Sequence, residues 1–329
     1  MRAGPHNALT DVPGVLLGHA TRIGGGALTG TTAVLLPEGT VTAVDVRGGG
    51  PSTRDTLALD PREDRRAVAA LVLTGGSSYG LGTAHGVLDW VARHRPWADP
   101  VVPTAALFDL GRGGDFTAHP RPEVGHEAAS AAAGGPVAQG NVGAGTGALT
   151  AQMKGGLGTA SATFPDGTTV AAVVGMNSHH PAVDPATGLP LGVAFGLPGE
   201  FPLVPVAPEV IAAGRERLRA TFEARRFRAP LNTVIGVVAT TAPLTPGQAH
   251  RLADAGHNGL SLAIRPSHGL ADGDTIFAAA TGSSGTAATA LSAAPGVFAR
   301  AIAHAVLAAT SITTDWGELL AHRDLYPQP

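Results

Sequence analysis

The sequence of 329 residues predicts a mixed α and β fold, an α+β chain. Three observations carry that reading: short apolar runs bounded by Gly, Pro and Asp recur along the chain, longer stretches of helical spacing interrupt them, and nothing repeats at a fixed period. The apolar runs lie at 14–17, 31–36, 41–46, 69–74, 168–174, 233–240 and 275–280, and each has strand length. Helical spacing covers 81–93, 209–226, 246–264 and an Ala-rich stretch, 285–309, that contains Pro295. Thr245 stands where an N-cap belongs, and Pro246 follows in the first turn, where a missing N–H costs nothing. No long linker divides the chain. The one candidate boundary is 227–232, FRAPLN, where an Arg-rich helix ends and Pro230 precedes a strand.

Composition narrows the function. Hydrophobic residues at 44% and charged residues at 14% describe a globular chain able to bury a core. A net charge of −3 with dispersed Arg and only 4% aromatic residues provides neither a basic face nor stacking groups for nucleic acid. With no Cys, thiol nucleophiles, disulfides and Cys-held metals are excluded, so a nucleophile must be Ser, Thr, Lys or an acid. The first residues, MRAGPHNALTDVPG, lack the apolar core of a signal peptide, and a cytoplasmic protein is expected. Uncharged stretches at 128–153 and 275–299 are broken by Gly, Ser, Thr or Pro and do not read as membrane spans. Of 22 basic residues, 21 are Arg and one is Lys154. Lys is a compact charge whose pKa shifts on burial, so a chemical role for Lys154 stands beside the alternative of codon bias.

Several motifs compete. Gly76-Ser77-Ser78-Tyr79-Gly80 fits G-x-S-x-G after an apolar run and before a helical pattern, the context of a nucleophile elbow, which makes Ser78 a candidate esterase nucleophile. The 13 His leave its triad partners unassigned, and a tight strand-to-helix turn explains the same letters. Gly143–Gly147 and Gly282–Thr286 each offer a nest of N–H groups for an anion, but neither completes a nucleotide-binding motif. The pair His179-His180 has no third ligand spaced nearby, and a loop or surface role is expected instead of a metal site. The most informative combination is Asn232-Thr233 ahead of VIGVVATTAPL, with Asp272-Gly273-Asp274 ahead of another apolar run. Both lie where a turn meets a strand, so one sheet edge would present a hydroxyl and two carboxylates. If the Asn232–Thr233 bond is cut, Thr233 acquires an α-amine of pKa about 7.7–8.0, and one residue then holds both nucleophile and general base.

Five blocks, LTDVPGVLLGHAT, VDVRGGGPSTRDT, LTGGSSYGL, GAGTGALTAQMKGGLGTAS and NTVIGVVATTAPL, occur in order along the chain. Together they resemble the DmpA-type aminopeptidase family, which includes β-aminopeptidases and the nylon-oligomer hydrolases. The resemblance runs from about Leu9 to Ala309. It implies a four-layer αββα sandwich of the N-terminal-nucleophile type and a single catalytic unit that cleaves itself between Asn232 and Thr233. It also implies a homotetramer of processed units and small peptide or oligoamide substrates. By the same resemblance Thr233 matches the nucleophile, Lys154 the active-site lysine, Asn177 in VVGMNSHH the oxyanion-supporting asparagine, and Asp272 and Asp274 the acidic pair at the new N-terminus. Tyr79 and Phe108 are the candidate substrate contacts, and Phe108 stands where some relatives carry a Tyr, so it lacks that hydroxyl. The Thr nucleophile with Asp-Gly-Asp leans toward the nylon hydrolases, while KGGLGTAS leans toward the aminopeptidases. Such a mechanism draws nucleophile, base and oxyanion donors from protein alone, so no cofactor or metal is expected. A Ser78 esterase and a non-catalytic ligand-binding protein remain the alternatives.

Overall fold

The computed structural model describes residues 1–63, 67–95, 100–225 and 232–328. The expected boundary at 227–232 falls outside these, apart from Asn232. The strands are β1 (Leu16–Gly24), β2 (Ala27–Leu35), β3 (Val41–Val46), β4 (Thr53–Arg54), β5 (Ala70–Thr74), β6 (Thr104–Ala106), β7 (Leu157–Thr163), β8 (Thr169–Gly175), β9 (Ile235–Thr240) and β10 (Thr275–Ala280), and the seven apolar runs supply all but β4, β6 and β7. They form two five-stranded sheets, ordered β1-β2-β5-β6-β4 and β7-β8-β9-β10-β3. Helices α1 (Thr83–His94), α2 (Pro122–Ser130), α3 (Pro208–Glu223), α4 (Pro246–Ala263) and α5 (Ala287–Ala308) accompany them.

Side-chain alternation sorts the strands into layers. Ala171, Val173, Ile235, Val237, Ala239 and Phe277 of the second sheet meet Leu17, Val34, Leu71, Leu73 and Ala105 of the first in a core between the sheets. The intervening positions, Val170, Ala172, Val174, Val238 and Ile276, face outward onto Leu252, Ala253 and Leu260 of α4 and Phe298 and Ile302 of α5. The other face of the first sheet, through Ala33, Leu35, Ala70 and Val72, packs on Ala84 and Val87 of α1 and Val124 and Ala128 of α2. The result is the expected four-layer αββα sandwich. Both sheets are buried on both faces, which is why their central strands read as continuous apolar runs.

Strands β4, β6 and β7 and helix α2 were not expected. Strand β7, LGTASAT, has little of the bulk that marks a strand, because α5 lies directly on it: a side chain at Gly158 would collide with the backbone of Ala301 and Ala305. Helix α2, PEVGHEAAS, is short and small-sided for the same reason, packing closely on α1 and on β1. Thr245 does cap α4, its hydroxyl accepting the Gln248 N–H at 3.3 Å. Helix α5 is apolar and long enough to cross a membrane by length and composition, yet most of it is buried against β7, β8 and α4, as a core helix would be. Its single charge among those layers, Arg300, is paired with Glu200 at 2.7 Å.

Candidate active site

Strand order brings the candidate residues to one end of the second sheet. Strand β8 runs antiparallel to β9 and β9 parallel to β10, with Gly175 opposite Ile235 and Ile235 opposite Thr275. The chain leaving β8 and the chains entering β9 and β10 therefore meet, carrying Asn177, Thr233 and Asp274. The ladder starts at Ile235, not at Thr233 as the apolar run predicts, because Thr233 and Val234 turn their N–H groups elsewhere. Thr233 donates to the Asn177 carbonyl at 2.7 Å, and Val234 donates to Asp274 Oδ1 at 2.8 Å.

Thr233 is 5% exposed. Its hydroxyl donates to the carbonyl oxygen of Asn232 at 2.6 Å, so the candidate nucleophile and the candidate scissile carbonyl are in contact in the continuous chain. Asn177 is fully buried. Its Oδ1 accepts from Arg112 Nη1 at 2.6 Å and from the Leu149 N–H at 3.0 Å, which leaves Nδ2 as the donor end, directed to the Phe108 carbonyl at 3.3 Å. Arg112 also reaches Asn232: Nη2 donates to Asn232 Oδ1 at 3.3 Å, while Asn232 Nδ2 lies 3.4 Å from His179 Nδ1.

Lys154 is fully buried. It belongs to a short hairpin that pairs Met153–Lys154 with Leu149–Thr150, and Nζ donates to the carbonyls of Gly145, Ala148 and Gly155 at 3.1, 3.0 and 2.6 Å. None of its hydrogen bonds reaches Thr233. The segment 143–147, read as a possible anion nest, instead turns carbonyls toward buried cations, since Gly147 O takes Arg112 Nη1 at 2.7 Å. Burial, reinforced by the charge of Arg112, pushes Lys154 down to about 7, against the pull of Asp109. Asp109 is buried as well, its Oδ1 accepting the Gly76 N–H at 2.7 Å; burial raises it to about 6 although Arg112 and Lys154 oppose the shift.

The two acids differ. Asp274 is held on both oxygens, Oδ1 by Val234 and Oδ2 by His268, whose Nδ1 lies 2.8 Å away. His268 adopts φ +59°, a left-handed conformation that costs an L-residue roughly 1 kcal/mol and that places its ring against Asp274. Asp272 accepts the Gly269 N–H at 2.8 Å through Oδ2, while Oδ1 is buried without a partner among the described residues. Burial and the neighbouring Asp274 charge push its carboxyl up, against the Gly269 N–H and the two histidines His179 and His180. The turn of Gly48–Gly50 braces this acidic corner, with Arg47 N–H on Asp274 O at 2.8 Å and Gly50 N–H on Asp272 O at 2.9 Å.

Ser78 is not assembled as a nucleophile. The residues of this turn with positive φ are Gly76 and Ser77, at +83° and +50°, and among the described residues the Ser78 hydroxyl meets only the Ser52 hydroxyl, at 3.3 Å in an exposed position. Among the described residues no His or carboxylate is bonded to it. Tyr79 is 61% exposed and stacks on His119 at 5.1 Å, and the Phe108 ring tilts against Phe116 at 6.4 Å. His179 and His180 lie in a loop, with rings edge-to-face at 4.9 Å. Among the described residues no group of three or more His, Asp or Glu side chains is placed to hold a metal ion. Arg112, Asp109 and His268 escaped the sequence reading; a charged side chain in the small-residue run FDLGRGG was the available signal for the first two.

The layered architecture is that of the Ntn-hydrolase fold. An L-aminopeptidase D-Ala-esterase/amidase from Ochrobactrum anthropi, described as a variant of that fold, superposes with a TM-score of 0.73 at 23% identity over 98% of this chain and 93% of its own. The chain belongs to peptidase family S58, whose profile matches residues 7–319, and it is a hydrolase of peptide or amide bonds. It is 44% identical to an uncharacterized aminopeptidase of Mycobacterium leprae over 95% of this chain and 93% of that protein. It is 33% identical to a beta-peptidyl aminopeptidase of Sphingosinicella microcystinivorans, over 78% and 69% of the two chains. A 6-aminohexanoate-oligomer endohydrolase of a Kocuria species is 29% identical over 82% and 74%. The resemblance carried by the five sequence blocks is thereby borne out.

Proposed function

We propose that this chain cleaves itself between Asn232 and Thr233 and that Thr233 then serves as an N-terminal nucleophile toward amide bonds of small peptides or amino-acid oligomers. The observation that carries the reading is the Thr233 hydroxyl in contact with the Asn232 carbonyl oxygen while its own N–H is tied to Asn177 O. In the continuous chain Oγ1 attacks the Asn232 carbonyl carbon, the C–N bond breaks, and an ester forms as the Thr233 amine is released. Water hydrolyses the ester, leaving a carboxylate on Asn232 and a free amine and hydroxyl on Thr233. In the processed enzyme that amine, of pKa about 7.7–8.0 before its surroundings act, takes the hydroxyl proton as Oγ1 attacks a substrate amide, and returns it to the leaving amine. Water then releases the acyl group. Asn177 Nδ2 is the candidate donor to the developing oxyanion, a contribution of about 3–4 kcal/mol for one such donor. Asp274 fixes the chain at Val234, one residue from the new terminus. The relatives that act on β-peptides and on 6-aminohexanoate oligomers set the range of substrates to try.

Intact-mass measurement of purified protein tests the reading: two chains, 1–232 and 233–329, are expected, and a single intact chain that hydrolyses amides overturns it. A panel of aminoacyl amides, β-peptides and aminohexanoate oligomers then separates the substrate classes.

A further inference from the structure

We propose that Arg112 is the positioning residue of this centre: its guanidinium fixes the Asn177 carboxamide and, before cleavage, the Asn232 side chain, so that the scissile peptide is held in one orientation against the Thr233 hydroxyl. The proposal rests on the reading of Thr233 as nucleophile and deepens it. Arg112 is 1% exposed, and a buried guanidinium ordinarily finds a carboxylate. Among the described residues this one makes no ion pair. Its hydrogen bonds go to three oxygens of the site instead: the Gly147 carbonyl, Asn177 Oδ1 and Asn232 Oδ1.

Each contact has a consequence. With Arg112 and the Leu149 N–H both donating to Asn177 Oδ1, the carboxamide cannot flip without facing donor to donor, so Nδ2 stays on the opposite side. The same Asn177 holds the N–H of the scissile peptide through its main-chain carbonyl, so orienting Asn177 orients that peptide. On the other side of the bond, the Asn232 side chain sits between Arg112 at Oδ1 and His179 at Nδ2, which restricts rotation of the residue that supplies the scissile carbonyl. A planar fork reaches acceptors on two separate segments at once; an ammonium is a point donor and does not. Once the bond is cut, the Asn177 contact persists, so Arg112 acts on turnover as well as on cleavage.

The test follows chain cleavage by intact mass and hydrolysis by kinetics in the full-length parent, Arg112→Gln, Asn232→Ala, the double variant and Thr233→Ala, with melting temperature recorded for each. Arg112→Gln is expected to slow cleavage about 10- to 100-fold, the scale of losing hydrogen bonds from a charged group. Asn232→Ala is expected to slow it less, and the double variant to match Arg112→Gln alone, because both single changes remove one shared contact. In the processed fraction of Arg112→Gln, kcat falls with KM little changed, the mark of a misplaced catalytic group and not of a loosened fold. Cleavage at the parent rate in Arg112→Gln, or additive effects in the double variant, overturns the proposal while an uncut Thr233→Ala keeps the nucleophile in place. Cleavage of Thr233→Ala overturns the nucleophile itself. If Arg112→Gln does not fold, Asn232→Ala decides from the other side of the contact: parental cleavage in that folded variant overturns the proposal, and slowed cleavage supports it.

Discussion

Two turns in this molecule set a hydroxyl between a strand and its neighbour, and they are built in opposite ways. At Ser78 the turn after β5 has the letters of a nucleophile elbow, yet the hydroxyl is exposed and, among the described residues, meets only Ser52. At Thr233 the letters before β9 are ordinary, yet the hydroxyl is buried, its own N–H is tied to Asn177, the next N–H is tied to Asp274, and the preceding side chain is held by Arg112 and His179. Reactivity follows from fixed donors and acceptors around an oxygen, because such groups need no reorganisation when charge develops. A local motif does not supply them.

The sharpest way to break this contrast is to remove each hydroxyl. Thr233→Ala is expected to give an uncut chain with amide hydrolysis down on the order of 10³-fold or more, whereas Ser78→Ala stays within about twofold of the parent in both assays. The reverse pattern would move the active centre to the first sheet.

Lys154→Arg comes next in size. The pocket formed by the Gly145, Ala148 and Gly155 carbonyls fits an ammonium, and a guanidinium adds volume in a fully buried position. A stability loss of roughly 1–3 kcal/mol in urea unfolding is expected, together with slower processing or turnover despite the conserved charge. If the variant equals the parent in all of these, the single Lys of the sequence reflects codon bias and no chemistry.

A pH series sharpens the same contrast by using the buried end's own titration. Lys154 keeps its proton up to about 10.5 when unfolded and only up to about 7 when folded. Between those limits the unfolded state binds the extra proton, so stability rises with pH, by at most about 1.4 kcal/mol per unit. Below about 7 both states are protonated and this contribution is flat. The parent's unfolding midpoint minus that of Lys154→Met should rise from pH 7 to 8 to 9 as the parent gains; parallel curves would show that burial does not depress this lysine. The smallest effect is expected at the exposed turn itself. Tyr79→Ala should leave processing intact and alter KM by no more than about tenfold, since the ring it loses is largely in solvent and stacked only on His119.

Much of the fold was legible because burial on both faces writes itself into the sequence. Strands β3 and β10 fall where apolar runs predict them, and the Thr245-Pro246 start of α4 is a local signal with a local cause. Strand β7 was hidden because close packing on α5 selects Gly, Ala and Ser, the residues least distinctive of a strand. In the site, Thr233 and Asp274 were legible as turn residues ahead of strands, and the family resemblance pointed to Lys154 and Asn177. Arg112 was not, because its partners Asn177 and Asn232 lie 65 and 120 positions away and no spacing rule links them. What Lys154 binds was not legible either: its ammonium donates to the carbonyls of Gly145, Ala148 and Gly155, main-chain acceptors that no motif marks.

The sequence by itself determined the mixed α and β class, the absence of any thiol chemistry and, through its ordered motifs, the family resemblance that implied the four-layer sandwich, since periodicity, composition and ordered motifs are properties of the chain alone. Tertiary structure decided which hydroxyl is surrounded by oriented polar groups, which way the Asn177 carboxamide faces, and what Arg112 and Lys154 hold. Those are matters of hydrogen-bond direction between segments distant in sequence, and direction exists only once the sheets have set β8, β9 and β10 side by side.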